Sequence, residues 1–515
     1  MPPVHLPLHR SPWPSLGACA LASAGILWAG EPATGTSLFP NPLRIPPILK
    51  PAAAGGIPSY DLTAHAGTTR FLTDPATPTY GYNDQSYLGP TLRLTRGRQV
   101  RITLHNELPA DFAPPMPMAM PESRAARLLE PLLAPYATSL RIHGLQARAE
   151  IASLAPQGQA SLVFTPDQPA ATLWYHPAPL LDAGRQVYLG LGGLILLDDP
   201  RAAGLNLPHA YGVDDLPLIV QDRRFGPDSR FLFRDRKEDV EGMLGNRILV
   251  NGTLTPHAAV AATRVRLRLV NASNARSYLF AFRDGRSFRQ IASDAGFLDV
   301  PQASNRVLVA PGGRAEIVAD FSRDSGSRVH LVSLAFKAAP VRNPLALPNG
   351  GNFPIMEFQV GAVRPSRPVQ GRLAKLPPAD SGHAQDSWII GLERGGEDDD
   401  SADGDTSLDG RHFDPSRIDH KVRAGSWEVW TLINHSKDSP HAFHLEGTPF
   451  RVLSRNNAAL TVDDQGPKDT LQLAPRETAR ILLHFGKQVG VYRFECENLE
   501  AVDQGMAGQY QISAR

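Results

Sequence analysis

Four histidines, a cysteine and a methionine stand at the ends of strand-like runs. His143 lies in "LRIHGLQ", His176 in "TLWYHPAP", His441 and His444 in "SPHAFHLEG", and Cys496 and Met506 in "FECENLEAVDQGM". A lone histidine is ordinarily structural. Imidazole, thiolate and thioether groups gathered in this way are the ligand types of a transition-metal site. Cys496 is flanked by Glu495 and Glu497. Successive side chains of a strand point to opposite faces, so both carboxylates aim away from the face that holds the sulfur.

The elements that must position these groups are strands. "LRLTRGRQVRITLHNEL" (Leu92 to Leu108), "TRVRLRLVNASN" (Thr263 to Asn274) and "GSWEVWTLINHS" (Gly425 to Ser436) share one layout: a charged or glycine turn, alternating apolar residues, then an asparagine. In the first two, basic residues alternate, which places their charges on a solvent face. One supersecondary unit used three times, about 165 residues apart, predicts three β-sandwich domains, at 45–200, 208–362 and 386–515. The Pro-rich stretch at 363–385 reads as a linker. The 44 glycines and 47 prolines fit many short strands joined by turns rather than long helices.

The 52 basic and 51 acidic residues argue against a nucleic-acid partner. Residues 1–30 read as an export signal. Arg10 precedes a small apolar run, Leu16 to Gly30, too short to span a bilayer, and no other segment is long and apolar enough to do so. Removal of that signal takes Cys19 with it and leaves Cys496 as the sole thiol, either inert in a core or held by a metal. Met116, Met118 and Met120 alternate in a Pro-rich stretch, as an apolar flap or as thioether donors for Cu(I). The acidic run Glu397 to Asp405 reads as a solvated loop.

The chain resembles bacterial multicopper oxidases of the three-cupredoxin type. The resemblance rests on "YLGPTLRL", "DQPAATLWYHP", "GRQVYLGLGGLILLDD", "YGVDDLPLIVQDRRF", "VRLRLVNASNARSY", "VAPGGRAEIVADF" and "HAFHLEGTPFRVLS", which recur in that family's order. It implies an all-β fold of three cupredoxin-like Greek-key sandwiches. It also implies four copper-binding signatures: His-x-His-Gly, His-x-His, His-x-x-His-x-His, and His-Cys-His followed at fixed spacing by His and Met. Here the first reads Arg141-Ile-His143-Gly144 and the second His176-Pro-Ala178. The third reads His441-Ala-Phe-His444-Leu-Glu446. The fourth reads Glu495-Cys496-Glu497, then Ala501 and Met506.

By that resemblance His441, Cys496 and Met506 remain of a type 1 copper site, and Ala501 stands where its second imidazole belongs. Of the eight imidazoles of the family's trinuclear cluster only His143, His176 and His444 remain. Arg141, Ala178, Glu446, Glu495 and Glu497 hold the other positions. A full four-copper set, and four-electron reduction of oxygen with it, is therefore not expected. The "YH" without a following ligand, the "FHLEG" glutamate and the "NLE-x-x-D-x-G" ending resemble the FtsP-type branch, which implies a periplasmic, non-catalytic scaffold with envelope or division proteins as partners. Two readings of the altered centre stand open. Arg141 and the glutamates can form a buried ion network. Alternatively, Glu446, Glu495 and Glu497 with His143, His176 and His444 can hold iron, manganese or zinc, or residual copper can bind at Cys496, either of which would make a metal-dependent oxidoreductase.

Overall fold

Alternation builds the sheets. In Val100–Glu107 the side chains of Val100, Ile102, Leu104 and Asn106 are buried, while those between them are partly or fully exposed. The computed structural model describes residues 38–514 apart from 55, 73–74, 110–136, 149, 180, 234–240, 339–342, 370, 395–405 and 457–458. The export-signal reading, the methionine triplet at 116–120 and the acidic run Glu397 to Asp405 lie outside the described residues. From Phe39 onward the chain is one compact unit, and no helix among the described residues is long and apolar enough to cross a membrane.

The described strands fall into six sheets that pair over three cores. Strands between Ala52 and Asp198 enclose a core built around Leu62, Ile102, Leu140, Leu173 and Ile195. Those between Asp215 and Val363 surround Leu218, Leu267, Phe280 and Ile317. Those from Asp386 to Ser513 surround Trp430, Phe443, Ile481 and Phe494. The fold is three cupredoxin-like β-sandwiches.

The three repeated runs play one topological part. Val100–Glu107, Arg264–Asn271 and Trp427–Asn434 each pair in parallel with an earlier strand, Ile57–Thr69, Asp215–Arg223 and Asp386–Arg394 respectively. Each pairs antiparallel with a later one, Gln159–Phe164, Arg314–Asp320 and Thr478–His484. The terminal asparagine has a shared physical reason. The Oδ1 atoms of Asn106, Asn271 and Asn434 accept the backbone N–H two residues on, from Leu108, Ser273 and Ser436, at 3.1, 3.0 and 2.9 Å. Their amide groups donate to the carbonyls of Leu154, Arg276 and Ser439. Each asparagine thus turns the chain out of its strand while meeting buried backbone groups.

One expectation is overturned. Arg266 and Arg268 are buried, not on a solvent face. Arg266 pairs with Glu316, and Arg268 donates to Asp215 at 2.7 and 2.8 Å and to Glu316 at 3.0 Å. Glu316 also accepts from Thr172 of the first sandwich at 2.6 Å. The alternating basic face is therefore covered by another sandwich that brings its own polar partners. The Pro-rich stretch is likewise tethered, since Leu373 is buried and its N–H donates to the Asp299 carbonyl at 2.8 Å.

Candidate metal centre

Two sheet ends meet at the site. In the first sandwich Thr138–His143 pairs with Ala171–His176, with Arg141 opposite His176 and His143 opposite Trp174. The pleat puts those four side chains on one face. In the third sandwich His441–Leu445 pairs with Gly490–Cys496, with His444 opposite Glu495 and Phe443 opposite Cys496. The same pleat turns Glu495 toward the first sandwich and Cys496 into the core of the third.

Arg141 reaches across this seam. Its guanidinium donates to Glu495, and its Nε lies 2.8 Å from Glu446 Oε1. Burial alone would weaken the charge on Arg141, but Glu446 and Glu495 outweigh it and hold the group cationic. Glu446 is the wetter partner: with Arg141, Glu150 and Arg493 it lines a cavity of about 150 Å³. Glu495 is buried.

The opposite half of the seam is made of imidazoles. His143 and His444 stack with ring centroids 3.8 Å apart. His176 stacks on Trp174 at 4.1 Å. Glu497 Oε1 lies 3.3 Å from His143 Nδ1, and Glu497 forms no ion pair with Arg141. Burial pushes His176 down to about 3 and, helped by the neighbouring His444 and Arg314, holds His143 well below its ordinary value. His444 is also buried, yet its bond to Asp469 and the nearby Glu497 raise it. Ala178 is buried, and its N–H donates to Ser139 Oγ at 2.8 Å.

The second sandwich supplies residues that sequence reasoning missed. Arg314 grips Asp469 through two bonds of 2.7 and 2.6 Å, and Asp469 in turn accepts from Thr470 Oγ1 at 2.9 Å. Gly312 has φ +72°, and a Cβ there would lie 2.4 Å from Glu497 Cγ and 2.9 Å from His143 Cε1. Only glycine fits this close approach. Gly312 and Arg314 lie in "VAPGGRAEIVADF", a stretch matched as a whole with no role assigned to its members.

The "NLE-x-x-D-x-G" ending has a structural account. The Asp503 carboxylate accepts the N–H groups of Ala183 and Gly184, both at 2.9 Å, at the start of helix Ala183–Leu189. Glu500 accepts from Asn274 at 2.6 Å and from the Met243 N–H at 3.0 Å. These two carboxylates tie the third sandwich to the first and second.

On the other face, Cys496 Sγ lies 3.4 Å from His441 Nδ1, and His441 Nε2 is held by Ser436 Oγ at 2.8 Å. The Cys496 N–H donates to the Met506 carbonyl, and Cys496, Ala501 and Met506 share one core. Burial pushes the thiol up to about 12. The imidazole nitrogen thus faces the sulfur as a co-ligand would, and Ala501 leaves the third donor out. Replacing Ala501 by histidine is expected to strengthen Cu(II) binding and to deepen a visible thiolate charge-transfer band that Cys496→Ser abolishes. An Ala501→His protein that stays colourless in excess copper would refute the placement of this half-site.

The multicopper oxidase family model matches residues 390–515. Over 482 residues the chain is 31% identical to the multicopper oxidase mco of Staphylococcus aureus, covering 92% of this chain and 93% of that protein. It is 32% identical over 479 residues to the cell division protein FtsP of Edwardsiella tarda, covering 91% and 92%. The crystal structure of a laccase from Pediococcus acidilactici superposes with a TM-score of 0.76 at 29% identity, covering 92% of this chain and 94% of that one. With relatives above 30% identity along nearly the whole length and three cupredoxin-like sandwiches in common, the chain belongs to the multicopper oxidase family.

Proposed function

We propose that this chain is an exported, non-oxidase member of its family, a scaffold of the envelope or division machinery rather than an oxygen-reducing enzyme. The observation that carries this reading is the Arg141 guanidinium bound between Glu446 and Glu495. A fixed cation at a ligand position repels copper ions, and its two carboxylate partners are no longer free to bind them. Five of the cluster's eight imidazole positions are held by other residues, so the donor set does not fit three coppers. The division context comes from the FtsP relatives, which are cell division proteins, and the periplasmic location from the apolar run at Leu16 to Gly30.

A second reading is favoured by one observation, the His441 nitrogen aimed at Cys496. His441, Cys496 and Met506 fit a single copper ion, which would supply one-electron chemistry without a cluster to receive the electrons.

An oxygen electrode tests the scaffold reading against oxidase activity, and the visible thiolate band on adding Cu(II) tests the single-copper reading. Copper-loaded protein is expected to show no oxygen uptake with phenols or cuprous ion. Sustained turnover that a chelator abolishes would overturn the scaffold reading. A fluorescently tagged chain is expected to concentrate at the division site, and an even distribution around the envelope would remove the division role.

A further inference from the structure

We infer that His143, His176 and Glu497 form a binding site for one divalent transition-metal ion, with zinc as its simplest occupant. One ligand atom from each of the three lies within 4.8 Å of the others. All three side chains are buried. His143 Nδ1, His176 Nε2 and both Glu497 carboxylate oxygens have no hydrogen-bond partner. Buried polar atoms left in that state are costly, and four of them converging is not what a polypeptide tolerates without a guest.

The hydrogen bonds fix which nitrogens are bare. His176 Nδ1 lies 2.9 Å from the Pro177 carbonyl, which can only accept. Its proton is therefore on Nδ1, and Nε2 presents a lone pair. Thr470 spends its hydroxyl proton on Asp469. It must then accept from His143 Nε2, 3.4 Å away. The His143 proton is accordingly on Nε2, and Nδ1 is also bare. An imidazole that donates one N–H to an oxygen and turns its other nitrogen inward is the arrangement in which histidine binds a metal.

That assignment creates a conflict that a cation resolves. The bare His143 Nδ1 faces Glu497 Oε1 at 3.3 Å, so two lone pairs oppose each other. No arginine or lysine among the described residues is paired with Glu497, since Arg141 is bound to Glu446 and Glu495 and Arg314 to Asp469. Two ligands each about 2.1 Å from a tetrahedral zinc ion stand about 3.4 Å apart, close to the observed separation. A neighbouring set, His143, His444 and Asp469, is the weaker candidate. Asp469 is already held by Arg314 and Thr470, and His444 Nδ1 lies 3.0 Å from the Asp469 carbonyl. Two imidazoles and a carboxylate, with no sulfur, suit zinc or iron(II) better than Cu(I). This site goes beyond the scaffold reading and is compatible with it, since the ion would secure the seam between the first and third sandwiches.

Chelator-treated, full-length protein, loaded with zinc chloride and desalted, is expected to retain one zinc per chain and to melt at a higher temperature than the metal-free protein. His176→Ala and Glu497→Gln should weaken zinc binding at least tenfold. Thr470→Val, which frees the His143 tautomer, should weaken it about 10- to 100-fold. Cys496→Ser should leave it unchanged. Cobalt(II) in place of zinc should give a visible ligand-field spectrum without a thiolate charge-transfer band. The proposal is overturned if the wild type retains no zinc, if binding survives in both ligand variants, if Cys496→Ser abolishes it, or if the cobalt spectrum carries the thiolate band. The wild-type stoichiometry and the cobalt spectrum decide the matter even where a ligand variant fails to fold.

Discussion

Arg141→Ala is expected to destabilise the protein by about 3–5 kcal/mol, the usual cost of removing one partner of a buried ion pair. The loss falls mainly on Glu495, which is buried and would be left as an anion without a cation. Glu446 loses less, because the cavity that it lines lets water take the place of the guanidinium. The effect should appear as a clear drop in melting temperature and in denaturant midpoint. Arg141→Lys should not restore stability, since an ammonium cannot span two carboxylates with the fork that the guanidinium uses. Adding Glu495→Gln to Arg141→Ala should recover much of the loss, because the second change removes the stranded charge. The pair would then show a coupling energy that neither single variant predicts. An Arg141→Ala protein as stable as the wild type would show that the network contributes nothing and would remove the main support for the scaffold reading.

How much of this could be read from the sequence depended on whether a feature was local. The pleat alone placed Cys496 on one face and Glu495 and Glu497 on the other, because that needs only the two-residue period of a strand. The asparagines closing the three repeats were visible for the same reason. Their partners lie two residues on. Arg266 and Arg268 could not be placed by periodicity, which tells one face from another but not water from a second sandwich bearing Thr172. Asp469 and Arg314 are 155 residues apart, and no local pattern marks either as the other's partner. Gly312 was one glycine among 44 until Glu497 and His143 were seen against it. Sequence also grouped three glutamates with one arginine, whereas the structure brings Arg141 to two of them and leaves the third among histidines. That division arises from how two sandwiches meet, which ligand spacing along the chain does not encode.

Arg314→Met is expected to cost about 3–5 kcal/mol at neutral pH, by the same reasoning as for Arg141, and to do so with an unusual pH dependence. Arg314 joins three sandwiches. From the second it donates to the Thr172 carbonyl of the first at 3.2 Å and to Asp469 of the third at 2.7 and 2.6 Å. Although burial would raise the Asp469 carboxyl, Arg314 and His444 hold it well below the ordinary 3.8. A depressed carboxyl contributes stability that is present above its unfolded value and is lost as pH falls through the folded one. In the wild type, therefore, the Asp469 contribution disappears only in strong acid. In the variant one cation remains beside Asp469, namely His444, whose value is already raised from 6.5. With the arginine gone, the unpaired carboxylate should raise it further. A histidine raised in this way stabilises the fold below its unfolded value, and that contribution fades as pH rises through the folded one. The penalty of Arg314→Met should accordingly be larger at an alkaline pH above the raised His444 value, where the imidazole has lost its proton and Asp469 stands alone, than at a pH below 6.5, where the imidazolium replaces the lost charge. Adding His444→Gln should abolish that recovery. Denaturant midpoints for the wild type, the single variant and the double variant at the two pH values test the argument, and a penalty independent of pH would mean that Asp469 finds its countercharge elsewhere.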